Sequence, residues 1–344
     1  MNIQKFLRDV KIASESIISI DALSNKRILI TGATGLIGST VATMLSVVNG
    51  KHNMNIELVL SGRNEAKLHK RFYGLVEDYE AIEYDIADGF KYDKPLDYII
   101  HCASNAHPLA YSKQPVETLV NNINGTNELL KYSVEWNIKR FLYVSSSEVY
   151  GNKNDNCLYT EDKYYDIDIL NPRSCYPSSK RAAETLCSAY NREFDIDYVV
   201  VRPGHVYGAL ITENDSRAHA QFLRDAINGN DIVMKSNGMQ LRSYCNALDC
   251  ASALLSVLCA GKNGYAYNIS NRESITTIRD FAQAHAAYVG KKILFENPTD
   301  QESMGYNMMP NSALNSDKLY DLGWNGKYNL EEGVKEVLDL YLKN

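Results

Sequence analysis

Short apolar runs recur along this chain, with amphipathic stretches between them. Arg27-Ile28-Leu29-Ile30-Thr31 is the first, followed by a glycine-rich turn and a helical pattern to about Val48. Ile56–Leu60 is a second run, with a helix predicted from Asn64 to about Tyr73. Asp97–Cys102 precedes a helix through Val116 to Tyr132. Phe141–Ser145 is another run, and a helix from about Tyr176 to Phe194 leads into Asp197–Val201. Apolar runs of this length separated by helices are what strands covered on both faces require. The pattern predicts an α/β fold built on a doubly wound parallel sheet.

After about residue 204 the alternation becomes irregular. Helices are expected at Ala218–Asn228, Asp249–Leu258, Thr276–Val289 and Leu330–Leu342, with short strands at Gly264–Ser270 and Lys292–Glu296. The predicted organisation has three parts. Residues 1–26 form an N-terminal extension, a short amphipathic helix plus a linker. Residues 27–203 form the sheet domain, and 204–344 mainly a smaller α/β substrate lobe, with some segments returning to the first domain.

Composition narrows the possibilities. The 344 residues, 45% hydrophobic and 23% charged, are those of an ordinary globular protein. A formal charge of −6 without Lys/Arg runs argues against nucleic acid and against a membrane surface as partner. No stretch of about eighteen apolar residues is present, and the first residues carry charges throughout, unlike a signal peptide. The seven cysteines show neither a CxxC pair nor zinc-like Cys/His spacing, so no metal site is expected. Scattered and odd in number, they suggest reduced thiols and a cytoplasmic protein.

The candidate chemistry sits at strand ends. Thr31-Gly32-Ala33-Thr34-Gly35-Leu36-Ile37-Gly38 follows the first strand and opens a helix. Glycines there allow a tight turn, close approach of backbone to a pyrophosphate, and close helix–strand packing. The phosphates would then meet free N–H groups at the helix N-terminus. The second strand ends Ser61-Gly62-Arg63-Asn64, with no acid to hold the ribose hydroxyls of NAD. Arg63 would suit the 2′-phosphate of NADP, or is a solvated surface arginine. Asp85-Ile86 is placed to contact adenine, or Asp85 caps a helix.

Tyr176 and Lys180 stand four residues apart, on one helix face. A phenol with a pKa near 10 is a poor base, and a neighbouring ammonium, helped by a positively charged nicotinamide, would favour its ionised form. Ser146, in Ser145-Ser146-Ser147-Glu148, would hydrogen-bond the sugar oxygen from which Tyr176 takes a proton. Glu148, at the carboxyl end of a strand, would abstract a C–H proton beside a ketone, or is a solvated or capping acid next to a polar strand terminus.

TGATGLIG, HCAS, NNINGT, VSSSEVYG, YPSSK, RPGHVYG and a late LGW, in this order, resemble the extended short-chain dehydrogenase/reductase family over residues 27 to about 340. The resemblance implies a Rossmann domain, a nucleotide-sugar lobe and a homodimer formed through a four-helix bundle. It also implies a shared first step, in which Tyr176 and Lys180 assist hydride transfer from C4 of a nucleotide-diphosphate sugar to NAD or NADP. Cofactor contacts would come from Gly32, Thr34, Gly35, Leu36, Ile37, Gly38, Arg63, Asp85, Ile86, Ala103, Lys180, Pro203 and His205. Substrate contacts would come from Ser104, Ser147, Arg173, His205 and Arg242, the last gripping the diphosphate in bidentate fashion.

Members of that family diverge after the first step. Enzymes similar to 4-epimerases return the hydride, those similar to 4,6-dehydratases lose water, and UDP-glucuronate decarboxylases lose CO2. Ser146-Ser147-Glu148 is similar to the Thr-Ser-Glu triplet of the last two, and Asn171-Pro172-Arg173-Ser174-Cys175-Tyr176 looks decarboxylase-like, with Arg173 facing a carboxylate. Three departures stand against simple transfer: Ser147 replaces an acid, Met308–Lys318 holds no arginine, and His205 and Ala209 replace the usual Asn and Pro. The leading expectation is an epimerase/dehydratase with a transient 4-keto sugar and recycled NAD(P). The alternatives are a decarboxylase-like enzyme and an NADPH-dependent 4-keto-sugar reductase.

Overall fold

A computed structural model describes residues 1–104, 108–153, 155, 157–299 and 309–343. Its largest element is a seven-stranded sheet. In chain order the first six strands are β1 (Arg27–Thr31), β2 (Glu57–Gly62), β3 (Glu80–Glu83), β4 (Tyr98–His101), β5 (Arg140–Val144) and β6 (Tyr198–Pro203). The seventh, β10 (Tyr265–Ile269), arrives late in the chain and completes the order β10-β6-β5-β4-β1-β2-β3, with every pair parallel. Alternate residues go to opposite faces, as strand geometry demands. Ile28, Ile30, Leu142 and Val144 join one buried cluster, whereas Leu29, Phe141 and Tyr143 join the other. That is why these strands read as continuous apolar runs.

The first face is covered by α2 (Leu36–His52) and α8 (Ala247–Ala260), the second by α5 (Pro115–Glu135) and α6 (Cys175–Phe194). Two shorter helices, α3 (Glu65–Phe72) and α4 (Pro108–Lys113), follow β2 and β4. The order reverses between β1 and β4, so a crevice opens at the carboxyl ends of these strands.

The N-terminal segment adds to this core. Helix α1 (Ile3–Ser14) is capped by the Asn2 side chain, which accepts from the Lys5 amide at 3.0 Å. Phe6, Val10 and Ala13 are buried where α1 packs on α2 and α8.

The C-terminal part contains small sheets that the apolar pattern does not announce. Strand β9 (Leu241–Asn246) pairs with β7 (His205–Tyr207), β11 (Ile275–Thr277) and β13 (Asn311–Ser312). Separately, β8 (Ile232–Met234) pairs with β12 (Ile293–Phe295). Strands of two or three residues are too short to show a period, so β7, β11 and β13 are absent from the sequence reading. Helices α7 (Ala218–Ile227) and α9 (Ile278–Val289) and the C-terminal helix Leu330–Leu342 lie close to their expected spans. Of the arginine-free stretch Met308–Lys318, Met308 lies outside the described residues, and the remainder includes β13.

Phe6, only 2% exposed, closes the outer end of the first cluster. Phe6→Ala is expected to cost about 3–5 kcal/mol of stability, measured as a lower urea midpoint at unchanged m-value.

Candidate active site

The glycine turn after β1 is set by contact distances. Gly32 has φ +63°, and a Cβ there would lie 2.7 Å from the Ala103 backbone at the end of β4. A Cβ on Gly38 would lie 2.5 Å from the Gly32 carbonyl. Side chains are therefore excluded where α2 meets the strand ends. Gly35 is the N-cap of α2, so Leu36 and Ile37 lie in its first turn, where amides lack intrahelical partners. Thr34 stands within the turn, half-buried. The Thr31 hydroxyl meets the Ala103 amide at 3.3 Å and His101 Nδ1 at 2.7 Å.

Around this crevice several buried polar atoms have no hydrogen-bond partner among the described residues: Ser104 Oγ, Ser145 Oγ and His205 Nδ1. Buried groups of this kind normally find partners, and here they are donors and acceptors left for a polar ligand. The residues thus fit a dinucleotide over the glycine turn. Pro203, buried, ends β6 nearby.

Arg63 and Asp85 sit across β1 from the catalytic strands. Arg63 follows β2, is exposed, and makes no hydrogen bond or ion pair among the described residues. Asp85 is exposed after β3, and Ile86 presses its Cδ1 against Gly125 of α5.

The catalytic candidates come together. Tyr176 is buried in the first turn of α6, and its ring stacks on Tyr111 with centroids 4.6 Å apart. Ser146 caps the short turn Ser147–Tyr150, accepting from the Glu148 amide at 3.2 Å, and its hydroxyl acts to lower the pKa of the Tyr176 phenol. Lys180 donates to the Val144 carbonyl at 2.8 Å, 4.8 Å above the Tyr143 ring and 5.9 Å from that of Tyr176. Burial pushes its ammonium down to about 8.

In the chain alone, burial raises the phenol of Tyr176 above its ordinary pKa, and the Glu148 carboxylate adds to it. Ser146 and the cations Arg217 and Arg173 act in the opposite direction. Lys180, four residues on, is held by the Val144 carbonyl.

Glu148 has a partner. Arg173 Nη2 donates to its Oε1 at 2.8 Å, and the Arg173 guanidinium lies 4.5 Å over the Tyr111 ring. Burial acts to lower the basicity of Arg173, but Glu148 more than reverses it. Arg173 therefore faces a carboxylate of the protein itself. Ser147 is buried beside this pair. Across the chamber, Arg242 on β9 is 2% exposed and donates to the Leu241 carbonyl at 2.9 Å. His205 opens β7, its ring 5.8 Å from that of Tyr244. Burial, followed by Arg242, His219 and Arg217, drives its pKa far down, so the imidazole is neutral.

Sequence reasoning missed two features. Arg217 precedes α7 and is bound by buried Asp215, with Nε 2.9 Å from Oδ1. Its only signal is an Asp-x-Arg ahead of a helix, which resembles ordinary capping. Asn122 of α5 donates to Ser179 Oγ at 2.8 Å, and Ser179 donates to the Tyr176 carbonyl at 2.8 Å, which ties α5 to the catalytic turn. Among the described residues no group of three or more His, Cys, Asp or Glu forms a metal site, and no helix is long and apolar enough to cross a membrane.

Residues 28–270 match the model of the NAD dependent epimerase/dehydratase family, and the chain belongs to that family. It is 28% identical over 316 residues to UDP-glucuronic acid decarboxylase 1 of Danio rerio, covering 92% of this chain and 72% of that one. Among solved structures it is similar to the Thermotoga maritima UDP-glucose 4-epimerase with UDP-glucose (TM-score 0.77, 22% identity, 92% and 99% of the two chains). It is also similar to the Bacillus cereus UDP-glucuronic acid 4-epimerase in complex with UDP-glucuronic acid and NAD (TM-score 0.74, 22% identity, 92% and 98%).

The buried ammonium has a measurable signature in protein stripped of dinucleotide. Burial holds Lys180 at about 8 against 10.5 in an open chain. Between those values the unfolded chain binds the extra proton, so stability rises with pH. Relative to Lys180→Met, the wild-type chain is expected to gain stability as pH climbs from about 8 towards 10.5. Urea midpoints across that range check the slope, and parallel curves refute it.

Proposed function

We propose that this protein is a nucleotide-sugar epimerase/dehydratase that works through a transient 4-keto sugar. The observation that carries the reading is the meeting of buried Tyr176 and Lys180 with half-buried Ser146 and Glu148 at the strand ends beside the glycine turn. Gly32, Thr34, Gly35, Leu36, Ile37, Gly38, Ala103, Pro203 and Lys180 would hold a nicotinamide dinucleotide, which supplies the hydride acceptor and later the donor. The remaining chemistry belongs to side chains. Tyr176 takes the C4 hydroxyl proton, and Ser146 holds the same oxygen in line. The Lys180 ammonium anchors the nicotinamide ribose while its bond to Val144 keeps it in place. Glu148 takes the C5 proton, made acidic by the adjacent ketone, and Arg173 aims that carboxylate. Arg242 and His205 receive the diphosphate side of the substrate, with Ser104 and Ser147 lining the sugar.

The finer points rest on single features. Arg63, exposed and unpaired, supports NADP and with it the keto-sugar reductase alternative. The decarboxylase alternative draws on the Danio rerio relative and on Arg173-Ser-Cys-Tyr. A homodimer through α5 and α6 is supported by Val116 and Val120, four residues apart on α5 and 67% and 42% exposed. Seven free cysteines, with Cys157 at the surface, suit the cytoplasm.

Mass spectrometry of products from UDP-, GDP-, dTDP- and CDP-sugars, with NAD and NADP supplied separately, sorts the chemistries: no mass change, loss of water or loss of CO2. Substoichiometric cofactor is expected to suffice, and stoichiometric NADPH consumption would establish the reductase instead. Tyr176→Phe is expected to lower turnover by about 10²–10⁴-fold. Glu148→Gln is expected to reduce bound cofactor still, yet fail to exchange the C5 hydrogen with solvent. Retained exchange removes Glu148 from the mechanism.

A further inference from the structure

The aromatic pair at the start of α6 contains a ring that the mechanism above does not use. Tyr111, on α4, is 4% exposed. Its ring centre lies 4.6 Å from that of Tyr176, with the two planes 24° apart. The guanidinium carbon of Arg173 lies 4.5 Å from the centre of the same Tyr111 ring. Arg173 in turn donates to Glu148 Oε1 at 2.8 Å. One ring therefore touches both the ring of the proposed C4 base and the cation bonded to the proposed C5 base.

Both contacts need an aromatic face. A guanidinium is drawn to the negative face of a ring, more strongly where water is excluded. Offset rings attract through dispersion and through their quadrupoles. An aliphatic side chain of similar bulk fills the space without holding the cation. The Nη2–Oε1 bond alone leaves a guanidinium able to pivot, and the ring face opposes that pivot.

The supports of the two reacting groups are unequal. The phenol is also fixed from behind: Asn122 donates to Ser179, Ser179 donates to the Tyr176 carbonyl, and Lys180 donates to that of Val144. None of these bonds involves Tyr111. Arg173 stands ahead of α6 in the short turn Pro172–Ser174, where the Asn171 side chain accepts from its backbone amide and leaves the guanidinium untouched. Tyr111 itself belongs to a small cluster with Cys175, Tyr176 and Leu119, apart from the two clusters that hold the sheet.

We propose that Tyr111 is a positioning residue for the second step of the reaction: its ring face holds the Arg173 guanidinium, and through it the Glu148 carboxylate, in place beside the Tyr176 phenol. This rests on the reading above, in which Glu148 takes the C5 proton.

The test uses the dinucleotide-loaded holoenzyme in deuterium oxide. The probes are the glucose conjugates of UDP, GDP, dTDP and CDP, and UDP-glucuronate. Absorbance of the reduced cofactor in a single turnover reads the C4 step, and proton NMR of the recovered sugar reads deuterium entering at C5. Tyr111→Leu and Tyr111→Met are expected to slow C5 exchange by about tenfold or more, as loss of a desolvated cation–π contact implies. Cofactor reduction should stay within about threefold, because its supports are independent of the ring. Tyr111→Phe keeps the ring face and is expected to hold both rates within about twofold of wild type. In an Arg173→Gln background, Tyr111→Leu should add no further loss of exchange, since residues acting through one contact are not additive.

Thermal midpoint and dinucleotide content, recorded for each variant, identify misfolding. Equal loss of both steps makes Tyr111 an ordinary packing residue and overturns the proposal. So does full C5 exchange in a folded Leu or Met variant, additive loss in the Arg173→Gln background, or unfolding of both non-aromatic variants. A wild type that reduces its cofactor yet exchanges no C5 hydrogen also overturns it, while the oxidation at C4 stands. A wild type that reduces its cofactor with none of the probes removes the nucleotide-sugar reading itself, and the proposal with it.

Discussion

A buried ammonium on a strand carbonyl sets the geometry of this site. Lys180 lies inside the protein with no carboxylate bonded to it, satisfied by the Val144 carbonyl and the face of Tyr143. An unpaired charge there is costly unless every donor finds a partner, so α6 has little freedom to slide along β5. Pinning α6 fixes the first turn, and with it Tyr176. The Asn122–Ser179 link then holds that turn from α5. Ser146, just past the end of β5, is fixed by the strand that supplies the Val144 carbonyl. Phenol, ammonium and hydroxyl are thus positioned by one helix–strand contact.

Glu148 depends on a second layer of charge. Its loop runs from Ser147 towards Tyr165 and is anchored at both ends by arginines of the catalytic helix and the next strand. Arg181 of α6 donates to the carbonyls of Val149, Tyr150 and Tyr165. Arg202 of β6, fully buried, grips Glu184 of α6 through two nitrogens and also meets the hydroxyls of Tyr150 and Tyr164. Bidentate guanidinium bonds restrict orientation as well as distance. Glu148, the proposed C5 base, therefore stands on a loop tied to the same helix that carries the phenol.

Much of this is legible in the chain because it has a period or a fixed spacing. Strand β1 begins and ends where its apolar run does, the flanking strands depart by one or two residues, and α2 and α5 run four and three residues beyond their expected ends. Gly32 and Gly38 are readable because only glycine tolerates the contacts found there. The Glu148–Arg173 bond is not readable, since a separation of twenty-five residues carries no register between a turn and a distant helix start. The Asp215–Arg217 pair is hidden for another reason. Two residues apart ahead of a helix, it looks like ordinary local capping. The desolvation that raises the Tyr176 phenol in the chain alone likewise leaves no trace in the Tyr176–Lys180 spacing.

The arrangement explains how one scaffold can end a shared first step in different ways. In the proposed reaction, oxidation at C4 would need only the phenol, the hydroxyl and the ammonium, all of which depend on the β5–α6 contact. The fate of the 4-keto sugar would depend on the groups around C5, whose candidates come from elements outside that contact: Glu148 from the turn after β5 and Arg173 from the segment before α6. Substituting such residues leaves the sheet and the glycine turn untouched, because none of them packs in the two apolar clusters that hold the sheet. The outcome of the reaction is therefore a property of charge placement at C5, and the capacity for reaction a property of the fold.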